Sequence, residues 1–289
     1  MAAAPLTSRH DPEDSTLRLC VLIDADNAQA AVIEGLLTEV ARFGVATVKR
    51  IYGDFTSPTS AGWKKVLQKY AIKPVQQFAY TTGKNATDST LIIDAMDLLY
   101  TRKFDGFCLV TSDSDFTGLA MRIREEGLTV FGFGEKKTPD AFRNACHKFI
   151  FTEVLRVREE KDSKPAAESS DKSSDKSAGK KATRRGGRKK ASDSDKPVPA
   201  TAPASAAKSD TPLPVRFMLD VLEQAGDESG WAQLGTYGSY LTKLQPDFDA
   251  RNFGYRKLSD LVKAHGELFL TEERNQPGST QKQRFVRAR

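Results

Sequence analysis

Leu19-Cys20-Val21-Leu22-Ile23 is an apolar run that ends abruptly in Asp24-Ala25-Asp26-Asn27. A second run, Phe107-Cys108-Leu109-Val110, ends in Thr111-Ser112-Asp113-Ser114-Asp115-Phe116. Buried strands that deliver carboxylates at their tips are a common way to build a cation site, because hard divalent cations take oxygen ligands on rigid supports. If the two tips lie side by side, four carboxylates crowd one spot, and such a cluster is hard to keep ionised without a metal. A third contributor is Asp88. It precedes the apolar positions Leu91, Ile92, Ala95, Leu98 and Leu99 at helical spacing, and it lies about two turns before Ala95 on the same side.

These acids are placed by alternating elements. Strands are expected at Arg18–Ile23, Val45–Tyr52, Ile72–Phe78, Gly106–Thr111 and Leu128–Phe133. Helices are expected at Ala28–Phe43 with Gly44 as C-cap, Ser57–Tyr70, Asp88–Tyr100 with Asp88 as N-cap, and Phe116–Glu126 closed by Gly127. Ala141–Ala145 has a helical pattern, and Phe149–Val157 reads as a final strand or a short helix. This alternation implies a Rossmann-like three-layer α/β/α fold with a parallel sheet. In such a sheet the functional crevice lies at the carboxyl ends of the strands. Asp24, Asp113 and Asp115 fall at that edge, and a helix running antiparallel to the strands would start there and bring Asp88 to it.

Each acid also has a structural alternative. Asp88 can serve only as a cap, and Asp113 and Asp115 can cap the helix that starts at Phe116. Asp94 falls on the border of the apolar face and is a weaker candidate. Asp97 points away from the core. A set of carboxylates without histidine or cysteine favours Mg²⁺ or Mn²⁺ over zinc and suits phosphodiester hydrolysis. Lys84, in a Gly-Lys-Asn turn, either neutralises a phosphate or is an exposed loop lysine.

Composition sets the frame. The 289 residues are 39% hydrophobic and 28% charged, with a formal net charge of +6. The three cysteines, Cys20, Cys108 and Cys146, lack the paired spacing of a zinc site and read as buried small hydrophobes. The histidines His10, His147 and His265 are scattered and give no support to a Ser/His/Asp triad. Without an apolar run of membrane-spanning length or a signal-peptide pattern, the expectation is a cytoplasmic protein that does not engage a membrane.

Four regions are expected: a loose tail over 1–16, the α/β domain over 17–157, a polar linker over 158–211, and a small domain over 212–289. The linker lacks aromatic residues and cannot bury enough apolar surface to offset its chain entropy. Within it, Lys180–Lys190 reads KKATRRGGRKK. Arg184, Arg185 and Arg188 in that run either solvate a spacer or add phosphate contacts. The last region suggests a helix at Val215–Gln224, short helices at Trp231–Gly235 and Tyr237–Leu244, a helix at Asn252–Ala264, and a β pair at Leu268–Glu272 and Gln283–Arg287. That is the shape class of winged helices.

The segments VLIDADNAQA, KNATDSTLIIDAMDLLY, CLVTSDSDFTGLAMRIREEG and LTVFGFGEKKTP resemble the NYN domain, a branch of the PIN-like nuclease superfamily, over about residues 18–140. The resemblance implies a metal-dependent ribonuclease. It assigns catalytic acids to Asp24, Asp88, Asp113 and Asp115, with Asp24, Asp88 and Asp113 as metal ligands and Asn27 as the polar residue after the first acid. Asp94 and Asp26 form a second tier.

WAQLGTYGSYLTKLQPDFDARNFGYRKLSDLVKAHGELFLTEE resembles the OST-HTH module, also called LOTUS. That resemblance implies RNA binding, and in some members protein partners. Tyr255, Arg256 and Lys257 are candidate RNA contacts, while Phe253 fits the core better. Two other readings compete: a non-catalytic RNA-binding adapter, and a haloacid-dehalogenase-like phosphatase using Asp24 and Asp26. An oligomer is compatible with the sequence but not required by it.

Overall fold

The structure, a computed structural model, describes residues 16–56, 61–78, 86–156, 211–275 and 282–289. The first 15 residues and the 157–210 segment lie outside it, and with them the tail and linker readings.

Six strands, β1 (Leu17–Asp24), β2 (Gly44–Gly53), β3 (Lys73–Gln76), β4 (Gly106–Val110), β5 (Thr129–Gly134) and β6 (Lys148–Phe151), form one sheet in the order β3-β2-β1-β4-β5-β6. Every pairing in it is parallel. The chain builds outward from β1 to β3, then crosses to β4 and builds the other half. The order therefore reverses between β1 and β4, which places the crevice at their carboxyl ends. The helices are α1 (Ile33–Val40), α2 (Ala61–Tyr70), α3 (Ala86–Tyr100), α4 (Thr117–Glu125), α5 (Asp140–Ala145) and α6 (Glu153–Arg156).

Side chains of a strand alternate between faces, and β1 shows what this does for the site. Leu19, Val21 and Ile23 pack with Ile33, Leu36, Val40 and Trp63 of α1 and α2. Cys20 and Leu22 pack on the other face with Leu91, Ala95 and Leu99 of α3 and Leu119 and Ile123 of α4. Asp24 is next in the even-numbered set, so its carboxylate emerges on the α3 and α4 side. All three cysteines are buried. Burial pushes the Cys20 and Cys146 thiols up to about 12, which fits small hydrophobes.

Several elements differ from the sequence reading. Gly44 is the first residue of β2 rather than the C-cap of α1. A Cβ there would sit 2.2 Å from the Leu17 carbonyl oxygen, so close strand approach explains the glycine. The expected helix from Ala28 to Phe43 divides into a 3₁₀ turn, Ala30–Val32, and α1. Asp88 lies inside the first turn of α3, whose first residue is Ala86, and is not its cap. Phe149–Val157 is both things expected of it in succession, β6 and then α6. Gly127 closes α4 with φ of 79°, as read from the sequence.

The C-terminal region holds α7 (Val215–Ala225), β7 (Ala232–Gln233), α8 (Leu234–Leu244), α9 (Leu258–Ala264), β8 (Phe269–Asn275) and β9 (Lys282–Ala288). Its three strands form an antiparallel sheet in the order β7-β9-β8. Met218, Leu222, Tyr237, Leu241, Leu261, Val262 and Val286 make a core of their own. Of the short helix expected over Trp231–Gly235 only Leu234 and Gly235 are helical, as the start of α8, because Ala232 and Gln233 pair with Val286 and Phe285 of β9. The helix expected over Asn252–Ala264 is broken by Gly254, whose left-handed φ of 85° ends a 3₁₀ turn at Ala250–Phe253 before α9 begins. Phe253 packs against the core, as its apolar character suggested.

Candidate metal centre at the sheet's carboxyl edge

Asp24 is 0% exposed. Its Oδ1 accepts from the Asp26 backbone N–H at 3.0 Å, and its Oδ2 accepts from Asn27 Nδ2 at 2.8 Å and from the Thr111 hydroxyl at 2.9 Å. Burial raises its pKa, and these three donors act against the rise. The Thr111 oxygen also accepts from the Asp113 backbone N–H at 3.1 Å. One hydroxyl thus links the tip of β1 to the loop after β4.

That loop turns sharply into α4. Asp113 caps the 3₁₀ turn Ser114–Phe116, its Oδ1 accepting from the Asp115 backbone N–H at 3.0 Å. Asp113 therefore caps a turn and also faces the crevice. Asp88, from the first turn of α3, completes the group. Carboxylate oxygens of Asp88, Asp113 and Asp115 all lie within 4.8 Å of one another.

The electrostatics follow from this crowding. The Asp88 pKa is pushed up to about 6, first by burial and then by the charges of Asp24, Asp113, Asp26 and Asp115. Like charges held this close favour either a proton or a cation between them. Three carboxylate oxygens on a strand-tip loop and a helix N-terminus are the donor set of a hard divalent cation, so the residues present fit such an ion.

The sequence-derived ligand set was Asp24, Asp88 and Asp113. The structure brings Asp88 and Asp113 together with Asp115, while Asp24 lies beside this group, its oxygens accepting from three protein donors and its charge raising the Asp88 pKa. Asn27 is likewise engaged, its amide donating to Asp24. Asp26 is exposed and contributes its backbone N–H to Asp24. Asp94 is not at the crevice: it pairs with the Arg50 guanidinium and accepts from the Tyr52 hydroxyl. Lys84, Arg184, Arg185 and Arg188 lie outside the described residues. Tyr255 hydrogen-bonds His265 Nε2 at 3.2 Å and packs against the C-terminal core, whereas Arg256 and Lys257 are exposed.

Sequence reasoning missed Thr111 and Ser112. Ser112 Oγ accepts from the Glu135 backbone N–H at 2.9 Å and ties the β4 tip to the end of β5. The signal was present in the run T-S-D-S-D, where hydroxyl residues stand between an apolar strand and the acids. The phosphatase reading meets an obstacle here. A phosphoaspartate mechanism needs an accessible nucleophile, and Asp24 is fully enclosed.

The NYN domain model matches residues 18–155, and the OST-HTH/LOTUS domain model matches residues 211–280. The chain carries an NYN domain followed by an OST-HTH/LOTUS domain. The α/β sheet is thus a PIN-like fold, and the pairing of the two domains supports an RNA-related nuclease family. Among solved structures, an uncharacterized protein from Nitrosomonas europaea is 53% identical, with 33% of this chain and 91% of that one covered and a TM-score of 0.29. A protein from Chromobacterium violaceum is 32% identical over 29% of this chain and 88% of that one, with a TM-score of 0.22. A protein of unknown function from Vibrio parahaemolyticus is 16% identical over 49% of this chain and 96% of that one, with a TM-score of 0.42. No curated protein matches the chain. Among the described residues no helix is long and apolar enough to cross a membrane.

Proposed function

We propose that this NYN protein is a divalent-metal-dependent ribonuclease that acts in RNA processing or decay, with its OST-HTH domain binding the RNA. The observation that carries the reading is the meeting of Asp88, Asp113 and Asp115 at the carboxyl edge of the parallel sheet. Mg²⁺ or Mn²⁺ suits this all-carboxylate donor set, and a bound cation supplies Lewis-acid charge at a phosphoryl oxygen.

The chain's own residues do the rest. Asp88, Asp113 and Asp115 hold the cation, and a carboxylate oxygen not used for that orients the attacking water. Asp24 acts on the site from behind. It fixes the Asp113 backbone through Thr111 and adds its charge to Asp88. Exposed Arg256 and Lys257 of the OST-HTH domain offer phosphate contacts, which raise the local concentration of RNA at the crevice.

The test is cleavage of labelled RNA by wild type, Asp88→Asn and Asp113→Asn, with Mn²⁺, with Mg²⁺ and with chelator. The expected result is cleavage by wild type alone, abolished by chelator. Equal cleavage by all three proteins would sink the assignment. RNA binding without cleavage under every condition would favour the adapter reading.

A further inference from the structure

The NYN and OST-HTH domains touch through a short segment, Pro246–Arg251, which lies in the turn after α8. Among the described residues strand β6 is an edge of the large sheet, so its outward backbone groups have no strand partner there. The Phe149 N–H on this edge donates to the Pro246 carbonyl at 2.9 Å. Beside it, Arg143 of α5 pairs with Asp247.

Arg251 forms a two-pronged pair with Glu39 of α1, Nη1 to Oε2 at 2.9 Å and Nη2 to Oε1 at 3.0 Å. The same guanidinium bonds Asp249 of its own domain. Burial alone would raise the Glu39 carboxyl, but Arg251 and Arg42 outweigh it and hold its pKa low. Lys148 completes the network: its ammonium sits over the Phe43 ring at 5.1 Å, and the charges of Asp249 and Glu39 act on it.

Two features define what this contact is. The first is its polarity. The ion pairs Arg143–Asp247 and Arg251–Glu39 and the Phe149–Pro246 backbone bond join the two domains. Arg143 Nε and Asn252 Oδ1, which flank Asp247, are buried without a hydrogen-bond partner among the described residues. Such interfaces resemble transient protein contacts and open more readily than a core. The second is the length of the connection. Residues 157–210 can span well over ~150 Å at ~3.3 Å per residue, so the covalent link does not dictate where the second domain sits. The contact residues do.

We propose that Pro246–Arg251 is an interdomain latch that seats the OST-HTH domain on strand β6 of its own chain through an openable polar interface. When closed, the latch holds that domain about three strand spacings, roughly 14 Å, to the side of β1 and its acidic crevice. RNA bound by the second domain would then approach the crevice from one fixed direction.

The latch is tested on the full chain by small-angle scattering with light-scattering mass, independently of any cleavage. Wild type in low salt is expected to be a compact monomer whose maximum dimension grows as NaCl rises from 0.1 to 1 M, since salt screens the ion pairs. Asp247→Arg and Arg251→Glu are each expected to extend the monomer in low salt. The swaps Arg143→Asp/Asp247→Arg and Glu39→Arg/Arg251→Glu are expected to be more compact than the single variants but short of wild type, since Asp140, Asp249 and Arg42 then face like charges, with circular dichroism confirming that each variant is folded. An extended wild type in low salt would overturn the proposal, as would a salt-independent dimension. A dimer by mass would overturn the same-chain assignment in favour of docking onto a second copy.

Discussion

The Thr111 hydroxyl donates to Asp24 Oδ2 at 2.9 Å, joining two residues 87 positions apart and closing the tip of β1 onto the loop after β4. Asp24 is completely buried, so this bond is one of three that make its charge tolerable there.

Thr111→Val keeps the shape of the side chain and removes that donor. The variant is expected to lose about 1–3 kcal/mol of stability, the range for leaving a buried polar group short of a partner. Thr111→Ser should retain most of it. Urea unfolding checks this, and a Val variant within about 0.5 kcal/mol of wild type would show that Asp24 does not depend on the bond.

Asp88 yields a pH dependence with a definite sign. Its pKa is pushed up to about 6 in the folded chain, against an ordinary value of 3.8. A raised acid pKa means the fold binds the proton more tightly than the unfolded chain, so stability falls as pH rises through this window. Asp88→Asn removes the repelled charge and should stabilise the metal-free protein above pH 6 by about 1 kcal/mol after solvent screening, with little effect below pH 3.8. Metal affinity runs the other way, because the ligand must be ionised. Mn²⁺ titrations of wild type should weaken as pH drops through about 6, and a flat profile from pH 5 to 8 would remove Asp88 from the ligand set.

Asp94 separates structure from chemistry. It pairs with Arg50, each of the two side chains 23% exposed, and accepts from the buried Tyr52 hydroxyl. Asp94→Asn should cost about 1–3 kcal/mol in unfolding free energy through that pair. Mn²⁺ affinity should change less than twofold. A loss of metal binding comparable to that of Asp113→Asn would return Asp94 to the site.

Arg256 and Lys257 offer a test of RNA binding that does not depend on cleavage. Replacing both by Ala should weaken single-stranded RNA binding and lower the slope of log affinity against log salt by about 1.4, ~0.7 per phosphate contact. Tyr255→Phe, which only loosens a bond to His265, should leave that slope unchanged. An unaltered slope in the double variant would place the RNA surface elsewhere.

The parallel α/β architecture was legible because β1 and β4 are continuous apolar runs, and the helices between them carry period-matched faces. Asp88 was legible for the same reason: its distance from Leu91 and Ala95 assigns it to the buried side of α3. Boundaries were less so where a distant partner decides them. Ala232–Gln233 became a strand only because β9 pairs with it, and Gly44 serves strand approach rather than helix capping.

By itself the sequence determined which residues are acidic, on which element each lies and at which edge of a parallel sheet they gather, since all of this follows from local periodicity. It set Asp94, Asp26 and Asp97 below the other acids but did not show which donors each acid meets. Tertiary structure decided that Asp115 meets Asp88 and Asp113, that Asp24 accepts from Thr111 and Asn27, and that Asp94 pairs with Arg50 and Tyr52. It also decided that Arg251 meets Glu39 across 212 positions of sequence. The physical reason is common to these cases. A carboxylate's role depends on which donors surround it, and those donors come from segments that only folding brings within hydrogen-bond reach.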